Sequence, residues 1–402
     1  MTQSRMTQKG YELAEMHLKS AERKIISRFI KTRSEVDAIL KDTYARFLTG
    51  VPKEDYKIVM GSYNRLKKMD KKIQGVYMSF YGGNYPTAKG ALKSAFTENY
   101  YRQQYSSMIF SGKQGFNPLN PMVTEYAVTG ETEQLMKMSQ ALRDRAKPIV
   151  SPSGQTLSTI LAGNGRRDVQ RILQTIHQGI NSGEAYTNVA RKLKDVFDGS
   201  ASNAIRVVRT EGNRTMNASA YWNAEELDVP MQKLWVATLG GDTRDSHQAL
   251  DLQVVGMEET FKSGGGEALY PGQFGIPSED IFCRCSVSYI VDGVHPQARR
   301  GIDPTTGKST IGEYENYNEW LERGRKGEIK TIPFSQERRQ VIDEINKKWI
   351  VAVDGGEGGV RGFSTKKEAT LFGKQLREKG EFANVFGQET FSRYMKEPKK
   401  LL

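Results

Sequence analysis

Arg209-Thr210-Glu211, then Trp235, then Asp242-Thr243-Arg244-Asp245-Ser246-His247, then Pro277, then Ile281-Phe282-Cys283-Arg284-Cys285: this succession occupies one stretch of a 402-residue chain. The protein has only two cysteines, one residue apart, and one of its four histidines falls in the same stretch. Leu234 to Thr238 reads as a strand, and Gly240-Gly241 as the turn that follows it. Asp242 is placed as the N-cap of a short helix through Leu250. Thr260-Phe261, Leu269-Tyr270 and Cys285 to Val291 read as further strands between Gly/Pro-rich loops. The pattern predicts a small α+β core entered from a helix.

Cys283 and Cys285 alternate on the last of these strands, which puts both thiols on one face. With His247 and Asp242 they form a set able to hold a tetrahedral zinc ion, although Cys-x-Cys is tighter than the usual zinc spacing. The alternative is two buried cysteines acting as small apolar residues, with His247 hydrogen-bonded to a carboxylate or carbonyl. Both readings stay open. Arg209 and Glu211 lie two apart on a helix and do not face one another, so each needs its own partner. For Arg209 that partner is Asp242, Asp245 or a strand carbonyl. An enzymatic alternative makes Glu211 or His247 a general base and Arg209 an anion clamp, in a metal-assisted hydrolase or nuclease or a transferase effector. Gly264-Gly265-Gly266 lacks the Lys-Ser/Thr of a phosphate loop, and no Gly-x-Ser-x-Gly elbow occurs.

Upstream, residues 1–150 read as a helical region. Leu18, Ile25, Phe29, Val36, Leu40 and Phe47 mark one narrow stripe of a long helix ended by Gly50-Val51-Pro52. A second helix carries Arg65, Lys67, Lys68, Lys71 and Lys72, a basic cluster suited to DNA. Tyr77, Phe80, Tyr81, Tyr85, Tyr100, Tyr101 and Tyr105 follow, broken by Gly82-Gly83 and Pro86. Their irregular spacing favours packing between helices over a base-stacking platform. A loop at Phe116 to Pro121 precedes one helix holding Leu135, Met138 and Leu142. Ser151-Pro152-Ser153-Gly154 marks the first domain boundary. One helix then carries Val169 to Ile180, and a second carries Val189 to Phe197 and ends at Asp198-Gly199. A third runs from Ser202 to Leu227, with small inward residues that include Gly212 and Thr215. Residues 151–295 thus form the central core and 296–340 a linker with one helix near Tyr314 to Arg323. Residues 341–402 form a ββα(β) module whose helix opens on the capping box Thr365-Lys366-Lys367-Glu368. The fold class is α+β.

The net charge of +12 and pI of about 9.4 point to a polyanionic partner, nucleic acid first. No run of eighteen apolar residues suggests a membrane span, and the start of the chain does not resemble a secretory signal. Two cysteines exclude a disulfide framework and fit a reducing cytoplasm.

The ordered succession of the opening stretch resembles the Mu-F-like minor head proteins of tailed double-stranded DNA phages, over about residues 155–292. Arg209-Thr210-Glu211 matches that family's Arg-Thr-Glu. Asp242-Thr243-Arg244 and His247 match its Asp-x-Arg-Thr-x-x-His element, with Asp245 at a usual Thr or Arg. Ile281 to Cys285 matches its Asn-Cys-Arg-Cys strand, with Phe282 in place of Asn. The resemblance implies a non-enzymatic head-morphogenesis protein of the virion interior, made in the host cytoplasm. It further implies association with the portal protein, contact with viral double-stranded DNA, and contact with a scaffold or major capsid protein. In that reading Arg209, Thr210, Glu211, Trp235, Asp242, Arg244, His247, Cys283, Arg284 and Cys285 are core residues, with no resident cofactor unless His247, Cys283, Cys285 and Asp242 hold zinc.

Overall fold

The computed structural model describes residues 3–61, 64–111, 117–227, 230–238, 243–291, 298–302, 309–313, 349–353, 359–363, 365–378 and 383–387. It is α+β, as the sequence predicts. The chain gathers into two compact units, each built from separated stretches: Met1–Lys19, Ala88–Leu157 and Arg206–Arg338 in one, and Ser20–Thr87, Ser158–Ile205 and Arg339–Leu402 in the other. The predicted helical region 1–150 therefore contributes to both units. Among the described residues no helix is long and apolar enough to cross a membrane.

Helix α1 (Gln3–Phe47) carries the predicted stripe: Leu18, Ile25, Phe29, Val36 and Leu40 are buried. A 3-10 turn and the short α2 (Tyr56–Gly61) lead to α3 (Arg65–Ser111). The break expected at Gly82-Gly83 and Pro86 is absent, and α3 runs through all three. Proline removes one amide donor from the helix ladder, and side chains brace the backbone there. Thr87 donates to the Gly83 carbonyl at 3.0 Å, and Arg28 reaches Thr87 at 2.6 Å. The aromatic residues pack as the spacing predicts: Tyr77 and Tyr100 are fully buried, and Phe80 lies edge-on to Phe29 at 4.3 Å between centroids. Tyr77 and Tyr81 both donate to Asp168, whose pKa burial raises even though these bonds pull it back.

Between Pro121 and Ala146 the single predicted helix is three: α4 (Pro121–Thr129), α5 (Thr132–Met136) and α6 (Gln140–Ala146). The divisions follow capping chemistry. Asn120 accepts from the Met122 amide with proline at the first helical position, Gly130 closes α4 in the left-handed region, and Ser139 accepts from the Leu142 amide. α7 (Leu157–Asn181) ends at Gly183, with φ of +66°. The two helices expected to meet at Asp198-Gly199 are one, α8 (Tyr186–Glu226). Ser202 bonds back to the Asp198 carbonyl at 3.0 Å, and the Asp198 carboxylate faces Arg33 at 3.8 Å. Tertiary packing thus overrides the weak helix propensity of Asp-Gly-Ser.

The core sheet has the order β2-β1-β5 and is antiparallel throughout: β1 (Met231–Val236), β2 (Val254–Gly256) and β5 (Ser286–Val291). Leu234 and Val236 share one face of β1 and cluster with Ile290, whereas Lys233 and Trp235 share the other. Between these strands lie α9 (Asp245–Leu250), the hairpin β3 (Phe261–Ser263)–β4 (Gly266–Ala268), and the single turn α10 (Pro277–Asp280). Leu269-Tyr270 follows β4 and does not extend it. The predicted linker holds a hairpin, β6 (Ala298–Ile302) with β7 (Ser309–Glu313); the helix expected near 314–323 lies outside the described residues. The terminal module is as predicted: β8 (Trp349–Val353), β9 (Gly359–Phe363), α11 (Lys366–Glu378) and β10 (Ala383–Gly387), in sheet order β10-β8-β9. Both capping-box bonds form, Glu368 amide to Thr365 Oγ1 at 3.3 Å and Thr365 amide to Glu368 Oε2 at 3.2 Å.

Candidate functional site

The last helical third of α8 frames the site. Gly212 is required by close approach: a Cβ there would stand 2.2 Å from Leu18 Cδ1. Next to it, Asn213 and Asn217 both donate to the Cys285 carbonyl at 3.1 Å, and Asn217 Oδ1 accepts from the Val287 amide at 3.2 Å. Thr210 Oγ1 accepts from the Phe282 amide at 3.1 Å. One helix face therefore fixes the cysteine loop by its backbone.

That loop is not a strand. Cys283 and Cys285 precede β5, so the expected alternation on a strand is corrected to an extended lead-in after a turn. The turn sets Phe282 at φ of +59°, in the left-handed region. Asparagine tolerates that region far better than phenylalanine. The asparagine that the family resemblance places at 282 therefore has a conformational explanation and needs no catalytic one. Replacing Phe282 with Asn should leave stability unchanged or raise it by up to about 1 kcal/mol, whereas Phe282→Val should lower it by about 1–2 kcal/mol. Urea titrations of the two variants check the contrast, and equal effects would remove the strain argument.

The two thiols nevertheless converge. His247 Nδ1 lies 3.7 Å from Cys283 Sγ and 3.5 Å from Cys285 Sγ. On the far side of the ring, Nε2 stands 3.0 Å from Glu279 Oε2, within ion-pair range although out of line for a hydrogen bond. Ser246 and Ser263 donate to the same Glu279 oxygen at 2.9 and 3.3 Å. Trp235 meets the imidazole edge-on at 5.4 Å, and Phe274 stacks on it at 6.0 Å. His247, Cys283 and Cys285 are 2 %, 3 % and 2 % exposed, so bulk water does not reach the cluster.

Burial alone would lower the His247 pKa, but hydrogen bonding and charge from Cys285, with Glu279, turn this into a rise. Burial would raise Cys285, yet hydrogen bonds from Cys283 and His247 hold it well below the ordinary thiol value. Cys283 goes the other way, raised first by its hydrogen bond to Cys285 and then by burial. The three directions agree: they favour the anionic form of Cys285 and the protonated forms of His247 and Cys283.

Other predicted residues fall around this centre. Asp242 lies outside the described residues, and α9 begins after Arg244, not at Asp242. Arg244 reaches the Ile281 carbonyl, and the Arg284 carbonyl accepts from Thr238 at 2.6 Å. Glu211 pairs with Arg214 at 2.8 Å, one helical turn on. Arg214, which sequence reasoning passed over, also donates to the Ile149 and Ala127 carbonyls at 3.1 and 2.8 Å. Gly272, at φ of +88°, passes so close that a Cβ would meet the Arg214 Cα at 3.1 Å. In the other unit Lys67, Lys68, Lys71 and Lys72 are exposed at the start of α3. Arg65 is committed to packing, donating to the Val59 carbonyl at 3.2 Å and lying 4.7 Å over the Phe47 ring.

Comparison with known proteins covers this same stretch. Residues 170–288 match the Phage Mu protein F like family. The Mu-F-like segment holds the Arg-Thr-Glu helix, the Trp235 strand, His247, Glu279 and both cysteines. Across 304 residues the chain is 27% identical to Minor head protein GP7 of Bacillus phage SPP1, spanning 75% of this chain and 91% of that protein. Across 209 residues it is 31% identical to NAD(+)--arginine ADP-ribosyltransferase EFV of Enterococcus faecalis, spanning 50% of this chain but only 42% of that one. No solved structure matches.

Proposed function

We propose that the protein is a minor head protein of a tailed double-stranded DNA phage. It docks on the portal inside the procapsid, touches scaffold or major capsid protein, and binds DNA without sequence preference during head assembly, packaging or ejection. The observation that carries this reading is the match to a minor head protein along 91% of that relative's length. The Mu-F-like segment, residues 151–295 by the sequence boundaries, is the folding core, and the helices of 1–150 are the docking surface. The site of action is the capsid interior, reached from the host cytoplasm. Co-sedimentation with procapsids, with and without portal, tests the docking; equal recovery from both overturns it.

DNA contact rests on the charge of +12 and on the exposed lysines of α3. Each phosphate neutralised steepens the salt dependence of binding by about 0.9 in a log–log plot. Replacing Lys67, Lys68, Lys71 and Lys72 with Ala should therefore lower that slope by roughly 2–4, equally for unrelated duplexes. An unchanged slope removes these lysines from the interface, and no retardation of duplex DNA at low salt removes the DNA half of the proposal.

A second reading is favoured by the Enterococcus relative, whose name describes transfer of ADP-ribose from NAD to arginine. Under it the chain is a transferase. Incubation with labelled NAD and an arginine acceptor separates the two: label on the acceptor replaces the non-enzymatic reading, and its absence retires the transferase.

A further inference from the structure

The geometry points to a zinc site formed by His247 Nδ1, Cys283 Sγ and Cys285 Sγ, oriented by Glu279. All three ligand atoms lie within 4.8 Å of one another. Bond lengths of about 2.3 Å to sulfur and 2.0–2.1 Å to nitrogen place the N···S edges of a zinc tetrahedron at roughly 3.5 Å. The observed edges are 3.5 and 3.7 Å. Both N···S edges therefore match those of a zinc tetrahedron.

A second, independent observation comes from the other side of the ring. Metal-binding histidines characteristically present their second nitrogen to a carboxylate, which fixes the ring and raises its basicity. Glu279 Oε2 occupies that position at 3.0 Å, and two serine hydroxyls hold the carboxylate in turn. This carboxylate is costly to bury beside an apolar ring pair unless it has such a task. Trp235 and Phe274 supply the dry shell that strengthens metal–ligand attraction. Two soft thiolates with one imidazole select zinc over magnesium or calcium. The ion would tie α9 to the lead-in of β5, two segments 36 residues apart that share no strand pairing. His247, Cys283 and Cys285 supply three corners of the tetrahedron, and the fourth is left to a water molecule or another group.

The test uses the full chain, purified in a phosphine reductant without chelator and dialysed against trace zinc. Metal analysis should give about one zinc per chain, falling to near zero in Cys283→Ser and Cys285→Ser. Cobalt substitution should produce a tetrahedral spectrum with a thiolate charge-transfer band that both variants lose. Glu279→Gln keeps every ligand and should weaken zinc binding about 10–100-fold in a chelator competition. That variant separates orientation of the ring from loss of the fold, and far-ultraviolet circular dichroism verifies that each variant stays helical. The proposal is overturned if wild-type protein holds no stoichiometric zinc, if zinc survives both serine substitutions, or if cobalt shows only octahedral oxygen coordination. Wild-type metal content alone decides the matter should a variant fail to fold. None of these outcomes depends on portal or DNA binding.

Discussion

Arg214→Met is expected to cost about 3–5 kcal/mol of stability, the largest effect of any single substitution considered. The guanidinium is buried, and it satisfies Glu211 and the Ile149 and Ala127 carbonyls together. A methionine fills much of the volume but leaves a carboxylate and two carbonyls without their donor. Removing one partner of a buried pair costs far more than the pair contributes, because the other charge remains desolvated. The double variant Arg214→Met/Glu211→Gln should therefore recover part of the loss. Urea unfolding with hydrogen exchange read on β1 and β5 measures both, and strictly additive losses would show that Glu211 and Arg214 act separately.

The second large effect is one of pH. Lys233 is fully buried on β1, donates to the Glu259 carbonyl at 2.6 Å, and lies between the Tyr221 and Phe261 rings at 5.7 and 5.6 Å. Burial pulls its pKa down from 10.5 to about 8, against the opposing charges of Glu225, Glu259 and Glu258. The unfolded chain thus keeps its proton in a range where the folded chain has released it. Stability should rise as pH climbs from about 8 toward 10.5, by about 2 kcal/mol once the lost ring contacts are allowed for. Below pH 8 both states carry the charge and no dependence arises from this group. Lys233→Met should abolish the rise. Thermal or urea midpoints across that window decide it, and a wild-type curve as flat as the variant's would mean that the ammonium is solvated after all.

Strong periodicity made the long helices and the terminal module legible in the sequence. The stripe from Leu18 to Leu40 and the Thr365–Glu368 box each report a local geometry that nothing distant opposes. Where breaks were expected, at Gly82-Gly83, Pro86 and Asp198-Gly199, the local signal lost to side chains supplied by α1 in the same unit, Arg28 bracing α3 and Arg33 facing α8. At the site, the residue types identified His247 and the cysteines as a group. The sequence could not show that Glu279 would close the far side of the imidazole, because a carboxylate 32 residues away carries no spacing signal. Arg214 was hidden for a similar reason: its two carbonyl partners lie far off in sequence, Ala127 in α4 and Ile149 in the 3-10 turn after α6. The i, i+4 pair Asn213 and Asn217 was the one available hint, since two amides on a single buried face require acceptors.

The same α8 face has a consequence for the timing of biosynthesis. Tyr11 donates to Asn217 Oδ1 at 2.9 Å and to the Val287 carbonyl at 3.4 Å, and Gln8 reaches Ser286 across 278 residues of chain. The first turns of α1 must therefore wait for a sequence that the ribosome has not yet made. At about 5–20 residues per second, that interval is roughly 15–55 seconds. Until then the start of α1 has only its earlier partner α3, where Gln103 donates to the Thr7 carbonyl at 3.2 Å, and the Tyr11 hydroxyl lacks its partners on α8 and β5.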